Sequence, residues 1–527
     1  QLPLLAAVAA AGTVVVFVPL DERYATRGMF LNAFPILGSD FEVRTPPPSM
    51  LSAIRTPANV TTLQSWLADN LQGADALVAS AEMLLYGGLI ASRCSNDTEP
   101  EVLGRANWLT ELQGKFPRVR MMLSTVVMRM PSYNSNFEDP WFWGIWGKDL
   151  FEYSFYQSRY EALHNESDRA QAATFRGKVP DHVVEHWLWR RTRNFNVTMH
   201  LLQSHAAGAF SDFYITFDDS GTYGFNVQEA GRLQSEAAAL NVTRTVPFYP
   251  GADEVGLAML SRLAIAVHGE TVTARVVWRA GNATGLIPGY ESQPIAKTVE
   301  DQLHACGVTP TNATAADIVF MVNNFQAAPQ QEASQQSTSS WADYSDFLTQ
   351  ASRSCSSQVV SFADVRYANG GDRSFVSYLL NGTSTAALGD CMSPGRYAYA
   401  GWNTDGNTLG TAISNAVLLS LTGGSKESVE SNKRFTLLRL LEDEVYQSSV
   451  RQQLMNFVGE AGGSPLDLSQ DLQFYERFSQ KLISFVGQSY GSILQTPARL
   501  GRVFYPWNRT FEIGFDLAGA AEVSVLV

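Results

Sequence analysis

Asp218 and Asp219 stand side by side where a strand-like run, Asp212–Phe217, ends and a turn of sequence SGTYG (220–224) begins. Adjacent carboxylates repel, and each raises the other's pKa. That is how a site obtains one protonated and one ionised carboxyl near neutral pH, as general acid/base chemistry requires. The competing reading makes one Asp a helix cap and leaves the other to water. Neighbours in a strand point to opposite faces. Both can therefore reach one ligand only if the chain turns at the pair, which Ser220 and Gly221 permit.

Other strand-like runs end the same way. Val14–Leu20 leads into Asp21, Glu22 and Arg23; Ala74–Ala81 into Glu82 and Tyr86; Val119–Val127 into Arg129 and Tyr133. Val246–Tyr249 leads into Gly251, Asp253 and Glu254, and Ile318–Val322 into Asn323 and Asn324. Val359–Phe362 leads into Asp364 and Arg366, and Tyr397–Ala400 into Trp402, Asn403, Asp405 and Asn407. In parallel α/β folds function gathers at the carboxyl ends of strands, so these ends point to one polar crevice. Asp218 and Asp219 are the first candidate catalytic pair. Asp253 and Glu254 are the second, because Gly251-Ala252-Asp253 also reads as a helix cap. Arg23, Arg129, Asn403, Asp405 and Asn407 suit hydroxyl binding, with Asp21 and Glu82 beside them, and Tyr86 and Trp402 suit stacking on a ring.

The elements that must position these groups alternate. Helical patterns fall at Thr61–Leu71, Glu101–Phe116, Val183–His205, Val227–Leu240, Glu254–Val267, Ile295–Cys306, Trp341–Ser352 and Thr408–Leu421. Strand–helix alternation means a parallel sheet with crossover helices. A (β/α)8-type barrel with extra units is expected over residues 12–424, and the alternative is two Rossmann-like lobes splitting near Gly269–Gly289. Residues 425–527 read as a mostly helical extension, with a helix around Leu472–Val486 and an extended tail at Thr510–Phe515. An aromatic insertion, 131–160, suits either sugar stacking or a small satellite core. The polar stretch Gln326–Ser340 reads as a loop.

The 527 residues carry a net charge of −13 with 45% apolar side chains. A chain this acidic, without a basic run, is a poor partner for nucleic acid. Nine acceptor sequons, at Asn59, Asn96, Asn165, Asn196, Asn241, Asn282, Asn312, Asn381 and Asn508, point to a secreted glycoprotein bearing N-linked glycans. Cys94, Cys306, Cys355 and Cys391 lack metal-ligand spacing and fit one or two disulfides. Cys355–Cys391 and Cys306–Cys355 are both open. Leu2–Leu20 is uncharged, yet Pro3 and the β-branched Val14–Val18 read as a lead-in and a first strand rather than a membrane span. Gln1 as the first residue reads as a chain whose signal peptide is gone.

The runs VPLDER (18–23), EMLLYGGLIASR (82–93), RMPSY (129–133), FDDSGTYG (217–224), YPGADEVG (249–256), YANGGD (367–372), GWNTDGNTLG (401–410) and PWNRTFE (506–512) resemble, in order, a bacterial and fungal family known as domain of unknown function 4127. Tyr24 replaces that family's usual Pro after the first motif. The resemblance implies homology over the whole chain and a site built from these motifs, without naming a reaction. The acidic dipeptide also resembles that of retaining N-acetylhexosaminidases, in which the substrate's acetamido group attacks. That would make Asp218 the orienting carboxylate and Asp219 the acid/base. The expected activity is hydrolysis of a carbohydrate glycoside without a cofactor. The alternatives are a magnesium-, calcium- or manganese-dependent ester or phosphoester hydrolase using Asp21, Asp218, Asp219, Asp253 and Asn403, and a non-catalytic carbohydrate-binding protein. The seven His residues avoid the strand-end motifs, which disfavours zinc.

Overall fold

A computed structural model describes residues 12–381, 390–460, 462–468 and 499–518. The lead-in before Gly12 and the helix expected around Leu472–Val486 lie outside the described residues. Two open parallel sheets form the frame, not one closed barrel. The first runs in the order β2 (Phe41–Arg44), β1 (Thr13–Val18), β3 (Ala76–Ser80), β4 (Arg120–Val127), β5 (Asp212–Phe217), β6 (Phe248–Pro250). The second runs β11 (Tyr397–Ala400), β10 (Val359–Val365), β9 (Ile318–Asn324), β7 (Thr273–Trp278), β8 (Thr309–Pro310).

The barrel expectation fails at β7. This strand sits inside the stretch read as connecting residues, and it pairs with β9, Ala274 opposite Ile318, rather than with β6. Its side chains are mostly half-buried, so Thr-Ala-Arg-Val-Val-Trp lacks the continuous apolar run that marks a doubly covered strand. The three-residue β6 closes the first sheet and the chain crosses to a second one. Two parallel sheets are compatible with the two-lobed alternative.

Helices Val255–His268 and Asp405–Leu421 lie between the sheets. Leu257, Leu260, Leu409 and Ile413 share one core with Val15 and Phe17 of β1 and with Phe320 and Ala398 of the second sheet. Val255–His268 is apolar nearly all round, as burial between two layers demands, and Asp405–Leu421 is buried on every face. The far face of the first sheet is covered by helices Val60–Asn70, Glu99–Lys115, Asp181–Ala206 and Phe225–Ala239. The far face of the second carries Ser345–Ser354, Arg373–Asn381 and the helical run from Lys426 to Glu460. An antiparallel hairpin, β12 (Arg499–Phe504) and β13 (Gly514–Ala518), completes the described chain. The polar stretch 326–340 is fastened by Ala333 N–H to Ala368 O and by Ser339 N–H to Ser374 Oγ.

Cys355 and Cys391 form a disulfide with Cα atoms 5.6 Å apart. Cys94 and Cys306 are free, contrary to a pairing of all four. Cys306 lies in the shared core against Ser414 Oγ, 3.3 Å away, and Cys94 lies beside Arg55, so neither faces another thiol. No helix among the described residues is long and apolar enough to cross a membrane. Asn59, Asn96, Asn165, Asn241, Asn282, Asn312 and Asn508 are exposed; Asn196 is half-buried in a helix, where its Nδ2 donates to Glu99. The Asn381 side chain lies outside the described residues.

Candidate active site

The carboxyl edges of both sheets open on one cavity of about 400 Å³. Arg23 follows β1, Arg129 follows β4, Asp218 and Asp219 follow β5, and Asp253 follows β6. Asn369 comes from the segment after β10 and Asn403 from the segment after β11. Tyr133, Phe137 and Glu138 enter from the aromatic insertion. Arg451, Leu466, Arg509 and Phe511 close the cavity from the C-terminal part of the chain.

The chain turns at Asp219 itself, one residue before the Ser-Gly that was expected to allow it. Its φ is +40°, a left-handed conformation that Asp tolerates better than most residues. Asp219 N–H donates to Asp218 Oδ1 at 3.0 Å, and Ser220 N–H to Tyr290 O at 2.9 Å, which fixes the turn against the segment before helix Ile295–Ala305. Both carboxyls therefore face the cavity.

Arginines bind these acids together. Arg23 pairs with Asp21 at 2.8 Å, Asp253 at 2.6 Å and Glu512 at 3.0 Å. Arg129 pairs with Asp219 at 2.8 Å, Asp139 at 2.6 Å and Glu138 at 3.3 Å. Arg93 reaches Glu138 at 3.2 Å and Asp218 at 3.5 Å, and Arg509 joins Glu138 to Glu512. Burial alone would push Glu138 up, but Arg129, Arg509 and Arg93 outweigh it and hold that carboxyl well below the usual range. Asp219 differs. Burial and the neighbouring Asp218 charge push it up to about 7, against the pull of Arg129. Burial, with Asp21 and Asp218 behind it, likewise pushes Asp253 up to about 7 despite Arg23. The site thus sets one carboxyl held ionised, Glu138, beside two, Asp219 and Asp253, that still bind protons near neutrality.

Of the residues singled out from the sequence, Arg23, Arg129, Asp218, Asp219, Asp253 and Asn403 line the cavity. Asp21 lies behind it and holds Arg23, accepting also from Thr26 Oγ1 at 2.8 Å. Asn407 lies behind it too: its Oδ1 accepts from Ala252 N–H and Asp253 N–H, both at 3.0 Å, so it shapes the turn that presents Asp253. Four others take structural positions. Glu82 accepts from Ser80 Oγ, Thr125 Oγ1 and Val126 N–H. Tyr86 is buried with Arg193 over its ring, 5.1 Å to the centroid. Trp402 is 1% exposed in the shared core, so it offers no stacking face. Asp405 is buried and accepts from Gln330 Nε2 at 2.8 Å. Glu254 also misses the cavity. It is fully buried, accepts from Gln302 Nε2 at 3.0 Å, and is pushed up to about 8 by burial.

Phe142, Trp143, Trp187 and Leu150 form a satellite core, so the aromatic insertion serves mainly packing, and only Tyr133 and Phe137 of its rings reach the cavity. Arg93, Asn369 and Arg509 also join the site, and each lies in one of the runs that carry the family resemblance, LIASR, YANGGD or PWNRTFE. Glu138 and Arg451 carry no sequence signal of their own: one is an acid in an aromatic stretch, the other a base in a helical one. Among the described residues no three His, Cys, Asp or Glu side chains are grouped to hold a metal ion.

The frame and the site together define a two-sheet α/β protein with an acid–arginine cavity where the strands end. Residues 15–516 match the family described as "Protein of unknown function (DUF4127)", and the chain belongs to that family. No curated protein and no solved structure matches the chain.

Proposed function

We propose that this chain is a glycoside hydrolase working through paired carboxyls, with Asp219 as general acid and Asp218 as the orienting partner. The observation that carries the reading is Asp219: a cavity-facing carboxyl pushed up to about 7 by burial and by the adjacent Asp218. Protonating a leaving oxygen needs a carboxyl that still holds its proton near neutrality. Asp218 beside it suits an orienting role toward the acetamido group of an N-acetylhexosaminide. Tyr133 and Phe137 offer ring faces and Asn134, Asn369 and Asn403 offer amides, the mixture that a sugar requires. Asp253, held between Arg23 and Asn407, is the second acid. The metal-hydrolase alternative is disfavoured because Asp21, Asp218, Asp219 and Asp253 are each already engaged by an arginine. The disulfide and the exposed sequons support a secreted glycoprotein.

A panel of nitrophenyl glycosides with and without EDTA tests the reading. Cleavage that survives EDTA supports it, and cleavage lost with EDTA moves the assignment to the metal hydrolase. Binding without cleavage across the panel moves it to a carbohydrate receptor.

A further inference from the structure

Acidic side chains outnumber basic ones in this chain, 51 to 38, and the cavity arginines reflect that excess. Arg23, Arg129 and Arg509 each pair with two or more carboxylates. Arg451 breaks the pattern. It lines the same cavity and is half-buried, yet among the described residues no carboxylate pairs with it. Its guanidinium makes one hydrogen bond, from Nη1 to the neutral Gln447 Oε1 at 3.2 Å, and its Nε has no partner. The guanidinium carbon sits 4.6 Å from the Phe511 ring centroid, which holds the group against the wall.

The acids whose fields reach Arg451 are already committed. Glu512 is bonded by Arg23 and Arg509, and Glu332 accepts from Tyr290 Oη at 2.8 Å and Asn369 Nδ2 at 3.0 Å. Burial lowers the pKa of Arg451, the mark of a cation short of compensation. A guanidinium does not shed its proton in proteins. A half-buried one without a counter-ion therefore costs free energy that an incoming oxyanion recovers, and its planar fork matches a carboxylate or sulfate.

We propose that Arg451 is the anion-recognising group of this cavity, and that the sugar bound there carries a carboxylate or a sulfate ester. The inference deepens the glycosidase reading and rests on it for the sugar. Asp218 and Asp219 come from the first sheet, whereas Arg451 and Phe511 come from the C-terminal wall. The anion is thus bound from a different wall than the one that supplies the acids. A neutral sugar whose hydroxyls meet Arg451 is the rival outcome.

Binding of free monosaccharides, which no glycosidase can hydrolyse, separates this inference from catalysis. Glucuronate against glucose, and N-acetylglucosamine 6-sulfate against N-acetylglucosamine, are titrated by ligand-observed NMR; the two pairs distinguish carboxylate from sulfate. At least one anionic member should bind roughly 10-fold more tightly than its neutral partner, the worth of hydrogen bonds to a charged group. The preference should weaken with added salt. Arg451→Gln should abolish it, while Arg451→Lys, which keeps charge and stem, should retain part of it. Equal binding within both pairs, no binding of any of the four sugars, or a preference unchanged in Arg451→Gln overturns the inference. Nitrophenyl glycosides are read separately. Anion binding that depends on Arg451 without any cleavage refutes the glycosidase reading and leaves this one standing. Cleavage of the nitrophenyl glycosides combined with equal binding within both sugar pairs does the reverse.

Discussion

Asp219→Asn removes a titratable proton while keeping size and shape. Asn tolerates the left-handed conformation at φ +40° as Asp does. Arg129 is not stranded by the change, because Asp139 at 2.6 Å and Glu138 at 3.3 Å remain its partners. The fold should therefore survive. Its pH response gives the first readout. Asp219 rises from 3.8 to about 7 on folding, through burial first and Asp218 second. Its contribution to stability is thus fully present below the unfolded value and is lost as pH rises through 7. The uncharged variant should melt no lower than the wild type at pH 8, and any advantage should vanish near pH 4. Catalysis gives the second readout. With a value of about 7, the acid is roughly half protonated at pH 7 and about a tenth protonated at pH 8. Turnover of a glycoside with a basic leaving group should then fall about fivefold over that unit of pH in the wild type. The variant should lose on the order of 100-fold or more on that substrate and far less on a dinitrophenyl glycoside, whose leaving group needs no proton. The alkaline limb should disappear with it. Stopped assays with both substrates from pH 5 to 9, beside melting curves, decide the matter. Equal losses on both leaving groups, or none on either, would falsify the general-acid role and move it to Asp253.

Asp218→Asn should lower turnover of every substrate by on the order of 100-fold, irrespective of leaving group, because it removes charge stabilisation at the reacting carbon; kcat on the same two glycosides measures this. Asn407→Ala leaves Ala252 N–H and Asp253 N–H without their Oδ1 acceptor, so it should lower stability by about 1–3 kcal/mol and reduce activity together, read by denaturant titration and assay. Protein from a eukaryotic secretory host should lose mass on treatment with an N-glycan-cleaving enzyme. Asn196→Gln should leave that loss unchanged, because Asn196 is half-buried and bonded to Glu99.

Most strands were readable because their apolar runs are continuous. Asp212–Phe217 and Tyr397–Ala400 appear with the boundaries expected, and Val119–Val127 differs by one residue. The strand that decided the architecture was not readable. Thr273–Trp278 carries Arg275 and is half-buried, so it lacked the signature that marks its neighbours. The helix Trp143–Leu163 was hidden for a related reason: aromatic residues on most of its turns obscured the 3.6-residue period and read as an irregular insertion. In the site, residue type and place at a strand end found the acids and their partners Arg23 and Arg129. Sequence order could not find groups contributed across hundreds of residues, such as Arg451, or separate Trp402, packed in the core, from Asn403 beside it in the cavity. An acidic side chain at a strand end is also compatible with a backbone-anchoring role, which is what Glu82 and Glu254 take.

The bond between Arg23 and Glu512 spans 489 residues. A chain emerging from the ribosome presents Arg23 and Asp21 hundreds of residues before Glu512 and Arg509 arrive. Until then Arg23 lacks one of its three carboxylate partners and Glu138 lacks one of its arginines. The cavity also lacks Arg509, Thr510 and Phe511 from its wall. The two sheets can form first, but the charge balance around the acids closes only after Arg509 and Glu512 have been made. A nascent chain would thus carry its frame well before its finished site.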